Sequence, residues 1–242
     1  MRFGKVNWIR MSFDDIRDER GEAFDFASQT LNPIKESIRH AINKQKQIQD
    51  YFEKLSQEKV SLRDEEYDVS DDNLKENFQN LSAFIEVMLG VSFVICQVYI
   101  DQTEQALSAF DRQVERETQK TLSCLVRSKT KRNVLLLSQG PKAGQSQYTY
   151  AEIVNAAANY YKHRAEWDQD WITGASKQQL QTANVVMALG AKPEHDDNMS
   201  KLARNLGNHE LFNVDEFLRG IEKWKFGLLR QIEEELQQQH LV

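Results

Sequence analysis

The chain is poor in the residues that punctuate structure: 10 glycines and 3 prolines in 242 residues. Tight turns draw on those residue types, so their scarcity argues against a many-stranded sheet and for long helices. Cysteine is almost absent. Cys96 and Cys124 stand alone, with no CxxC pair. That spacing builds no structural zinc site and suits a reducing cytoplasmic compartment. The histidines are scattered, so no metal or other cofactor is expected. No glycine-rich phosphate loop, HExxH pair or GxSxG elbow occurs. The first residues, MRFGKVNWIRMSFDD, lack the apolar core of a signal peptide. A net charge of −6 excludes a generally basic nucleic-acid binder and leaves only local patches. The longest apolar run, Val87 to Cys96, falls short of the roughly 20 residues that span a bilayer. No membrane partner is therefore expected.

Helical periodicity dominates what is present. Residues 1–30 carry no clear signal. Asn32-Pro33 reads as a helix start, with proline tolerated in the first turn. Ile34, Ile38, Ala41, Ile42, Ile48 and Phe52 then share a face. The acidic stretch 61–73 reads as a solvated loop. A second helix is expected from Ser70 to Asn73 onward, through Leu74, Phe78, Leu81, Ile85 and Met88. It runs into the apolar Val87–Cys96 stretch, flanked by Glu86 and Gln97, which predicts a central buried helix. Its Val/Ile-rich part would otherwise be a strand. Arg127, Lys129, Lys131 and Arg132 form the densest basic cluster, either a solvated helix end or a phosphate-contacting patch.

The glycine- and serine-bearing stretch SQGPKAGQSQ marks a linker over 138–148. It separates an N-terminal helical segment, 1–137, from a C-terminal one, 149–242, or forms a loop inside a single domain. Thr149 and Glu152 make a capping box, and so do Ser176 and Gln179. The first predicts a helix from Tyr150 to Asp168, with Ile153, Ala156 and Tyr160 inward. The second predicts a helix closed by Gly190 and Pro193. A last helix is expected from Asn213, ending in a frayed QQQHLV tail. The fold class is all-α: a bundle of five to seven helices, several long and antiparallel.

One helix gathers polar chemistry beside aromatic side chains. Asn159 and His163 are four apart, so their side chains can meet on one face. Lys162 and Arg164 flank the histidine, with Tyr160, Tyr161, Trp167 and Trp171 nearby. The plainer alternative is a buried polar pair satisfying helix packing.

The string NYYKH resembles the tail of the HEPN motif: arginine, a polar residue, a short spacer, then histidine. HEPN domains are helical bundles. Many are metal-independent ribonucleases of toxin, phage-defence and CRISPR systems, others are non-catalytic, and they commonly dimerise. The resemblance maps Asn159 to the polar position and His163 to the histidine, over about six residues. Ala158 stands where the family has arginine, so Lys162 or Arg164 would have to supply the cation. A second string, RNLGNH from Arg204 to His209, fits the motif literally, although Gly207 weakens a helix there.

The resemblance implies a HEPN-like cytoplasmic protein acting on RNA. His163 would move the proton between the 2′-OH and the leaving oxygen. Lys162, Arg164 or Arg204 would neutralise phosphorane charge, and Tyr160 and Tyr161 would stack on bases. Asn159 would complete the catalytic set, with His209 beside Arg204 in the substrate-binding set. A homo-oligomer or a protein partner is expected. The alternative is a non-catalytic helical interaction module or regulatory subunit.

Overall fold

The computed structural model describes residues 2–18, 21–59, 69–125, 137–167, 171–173, 175–193, 195–206 and 213–241. Among them are seven α-helices and no strand. We number the helices α1 (Arg2–Asp18), α2 (Gly21–Lys59), α3 (Val69–Thr118), α4 (Tyr150–His163), α5 (Lys177–Ala188), α6 (Asn198–Leu206) and α7 (Asp215–Gln238). The basic cluster Arg127–Arg132 and most of the acidic loop lie outside the described residues.

α3 is the axis of the bundle. Its 50 residues span about 75 Å at about 1.5 Å per residue. Ile85, Leu89, Phe93, Cys96, Ile100, Leu107, Phe110 and Val114 recur at helical steps, and all are buried. The Val/Ile-rich stretch is helical throughout, so the strand alternative is excluded. α2 packs antiparallel on α3: the Phe24 ring meets Tyr99, and Gln45 Nε2 donates to Ser82 Oγ at 2.6 Å. α4 also runs antiparallel to α3, with Gln97 beside Asn155 and Gly90 under Tyr161. On the α7 side, Phe93 stacks on Phe217 with ring centroids 4.6 Å apart. α3 is also the one described helix long and apolar enough to cross a membrane. Its best 18-residue window has mean hydropathy 2.0, and 56% of that window is buried inside the bundle.

Three expectations need correction. Pro33 lies inside α2, not at its start. Proline removes a helical hydrogen bond and costs roughly 3 kcal/mol in a helix interior. Ala27 and Leu31, buried upstream, continue the core face and hold the helix through it. α4 ends at His163 rather than Asp168 and tightens into a 3-10 turn, Arg164–Glu166. Trp167 is then extended, and its ring packs edge-on against Tyr160 and Trp171. The tail does not fray. His240 takes the left-handed conformation at φ 57°, and Leu241 N–H donates to Leu236 O at 2.9 Å. That is a Schellman closure, with Leu241 buried as its apolar contact.

Residues 137–149 pack closely on α7. Leu137 and Ala143 are buried, Lys142 and Thr149 form an isolated bridge, and Pro141 sits on Gly227. One apolar cluster contains side chains from both sides of this stretch.

Candidate functional site

α4 starts where the capping box places it. Thr149 Oγ1 accepts from Glu152 N–H, and the Glu152 carboxylate accepts from Thr149 N–H at 2.8 Å. Ile153, Ala156 and Tyr160 face inward, as the spacing predicts. The polar residues of this helix part company. Gln97, buried on α3, donates from Nε2 to Asn155 Oδ1 at 2.6 Å and to Asn159 Oδ1 at 3.2 Å. Lys162 Nζ donates back to Gln97 Oε1 at 2.7 Å. Gln97 therefore clasps the half-buried Asn159 between α3 and α4, with the exposed Lys162 reaching it from the rim.

His163 is the last residue of α4, and its side chain is 52% exposed. Its Nδ1 lies 3.2 Å from a Glu166 carboxylate oxygen. Asn159, half-buried, thus makes a helix-packing hydrogen bond to Gln97, whereas His163 is exposed and the two do not form a buried pair. Arg164 turns back over the Tyr161 ring, 4.9 Å from its centroid. Tyr161 itself is half-buried against Gly90. Arg204 is exposed on α6, and His209 lies outside the described residues. The four residues expected to share one site thus have separate surroundings: Asn159 and Lys162 on Gln97, His163 on Glu166, Arg164 on Tyr161.

A groove of about 1690 Å³ opens beside them, between α2, α3, the turn after α4 and α6. It exceeds the roughly 300–1,000 Å³ usual for a small-molecule pocket. Tyr160, Arg164 and Arg204 line it, and His163 does not. Ile42, Phe78, Ile85 and Trp167 supply apolar surface, while Lys46, Asp50, Asp196 and Lys201 supply charges of both signs.

The groove wall carries a polar network that sequence reading missed. The Glu86 carboxylate accepts from Met199 N–H at 2.8 Å, from Ser200 N–H at 2.9 Å and from the Ser200 hydroxyl. It caps the first turn of α6 from another helix, satisfying donors that have no partner within α6. Burial pushes the Glu86 carboxyl up, against the lowering pull of Ser200 and Met199. Asn198 Nδ2 donates to Tyr160 Oη at 2.9 Å and to Lys192 O at 2.8 Å. Burial raises the Tyr160 phenol too, opposed by the Asn198 bond. A signal was present in the sequence. Glu86 and Gln97 are eleven residues apart, about three turns, on one face of an otherwise apolar run. Polar groups so placed must find partners across a helix interface.

Among the described residues, no group of three or more His, Cys, Asp or Glu is placed to hold a metal ion. No protein-family model matches the chain, and neither a curated protein nor a solved structure matches it.

Proposed function

We propose that this chain is a non-catalytic helical binding module of the cytoplasm whose groove receives a segment of a protein partner. The observation that carries this reading is the Gln97 clasp. It ties the half-buried Asn159 and the exposed Lys162, two residues that RNA cleavage would use, to the buried Gln97 amide of α3. The groove supports the same reading. Its lining mixes apolar side chains with charges of both signs, which suits an amphipathic segment better than a polyanion. A photo-crosslinking residue at Ala83, in the groove, should capture one protein in cells, while the same residue at exposed Arg112 should not. Equal capture at both positions would reject the groove as the contact.

A second reading has one observation in its favour. The Glu166 carboxylate against His163 Nδ1 is the pairing that orients an imidazole for proton transfer, leaving Nε2 for a substrate. On this reading the chain is a metal-independent ribonuclease, as the HEPN resemblance implies. His163→Ala separates the two. The side chain is exposed, so stability should change by no more than about 0.5 kcal/mol on either reading. A ribonuclease would lose about 10²–10⁴-fold in cleavage rate. A binding module shows no RNA cleavage in the parent and none to lose. Melting curves and cleavage of a labelled single-stranded RNA, run on both proteins, decide between them.

A further inference from the structure

The outward face of α3 is apolar where a solvated helix would be charged. Phe84 and Val98 are 39% and 41% exposed. Val87, Val91 and Ile95 between them are only half-buried. Phe84, Val91 and Val98 recur every seven residues, with Val87 and Ile95 filling the turns between, so the stripe is continuous along one side of the helix. Exposed Asn77 and Asn80 bound it at one end, and exposed Gln102 and Gln105 at the other. No Lys, Arg, Asp or Glu interrupts these positions.

The pattern is symmetric about Val91. Phe84 and Val98 are equally far from it, as are Val87 and Ile95, Asn80 and Gln102, and Asn77 and Gln105. We propose that this face is the two-fold contact of a homodimer, with two copies of α3 packed antiparallel about Val91. Phe84 would then meet the other copy's residue 98, Val87 its residue 95, and amides would face amides at both ends. A two-fold contact requires such self-complementarity, in which i meets j and j meets i. The absence of charge across the face means that no like charges oppose each other there. The stretch from Asn77 to Gln105 is about 42 Å long at about 1.5 Å per residue, a helix contact well beyond a single turn. Asn80 and Val87 also line the groove. The two-fold axis runs between the helices, so it would set both grooves on the same side of the dimer. The inference does not depend on the proposed occupant of the groove.

The test is light scattering on the eluted full chain at tens of micromolar. The expected mass is twice 28.2 kDa. Val91→Glu and Val91→Lys should each elute as folded monomers, because like charges meet at the axis. Mixing the two should restore the dimer, which also shows that neither variant is misfolded. If either variant does not fold, Val91→Cys in a Cys124→Ser background replaces them. Under mild oxidation it should cross-link to itself, whereas Phe84→Cys should cross-link only when mixed with Val98→Cys. A monomeric parent, a dimer that Val91→Glu leaves intact, or cysteine cross-links with no preference for position 91 would overturn the proposal. So would a parent that is monomeric in solution and binds phosphatidylcholine vesicles through this face.

Discussion

Gln97 holds three partners on α4 from a position with almost no solvent access. Removing it takes one hydrogen bond each from Asn155, Asn159 and Lys162 and empties a buried site, although the exposed Lys162 ammonium can turn to water. Each such hydrogen bond contributes about 0.5–1.5 kcal/mol net. Gln97→Ala is thus expected to lower unfolding stability by about 2–4 kcal/mol, since part of the site can rehydrate. Urea denaturation checks this, and a loss under about 0.5 kcal/mol would place the clasp on the solvated surface instead. Glu86 offers a signed pH test. Its folded pKa lies above the ordinary carboxylate value, so the folded chain holds the proton more tightly than the unfolded one. The stability it contributes is fully present below the ordinary carboxylate pKa and is lost as pH rises through the raised value. Glu86→Gln does not titrate at this position. The stability of the parent relative to the variant should therefore fall as pH rises above about 4 in parallel denaturation curves. A relative stability of the parent that rises with pH would mean that the three donors on the carboxylate outweigh its burial.

At the scale of the element, close approach between helices depends on missing Cβ atoms. A Cβ on Gly90 would lie 2.0 Å from Tyr161 Cδ2 and 2.5 Å from Cγ, too deep in the ring for a small rotation to relieve. Alanine is the better helix former by about 1 kcal/mol, so propensity alone predicts that Gly90→Ala stabilises α3. Overpacking costs about 1–3 kcal/mol, and here it should win. The expected outcome is a lower melting temperature, and Tyr161→Ala in the same chain should recover part of it. Local grammar of this kind was legible in places. The Thr149 capping box, the Ser176 cap and the Gly190 stop could be read because each acts within a few residues. Pro33 misled because the burial of Ala27 and Leu31, which holds α2 together, depends on another helix. The end of α4 misled because Trp167 leaves the helix for an aromatic contact with Trp171. The candidate site was legible as a cluster in sequence and not in space. Spacing puts Asn159 and His163 one turn apart, but Gln97, sixty-two positions before Asn159, decides where that amide binds.

For the whole molecule, the question is whether 149–242 stands apart from what precedes it. The long α3 touches α1, α2, α4, α6 and α7, and its side chains share one apolar cluster with those of the later helices. Phe93 is fully buried at the centre of this arrangement and stacks on Phe217 of α7. Phe93→Ala removes the ring and leaves a cavity, at about 3–5 kcal/mol. A typical domain has only about 5–15 kcal/mol of stability, so the variant should be strongly destabilised yet partly folded in mild conditions. If the helices unfold as one cooperative unit, the loss is shared. Amide hydrogen exchange should then accelerate by similar factors in the buried turns of α3, α4 and α7, since those amides exchange only through global opening. Protection in α4 and α5 that survives while α3 becomes labile would show instead that the C-terminal helices form a unit of their own. The groove would then lie across a joint between two units, and its width would vary with their opening.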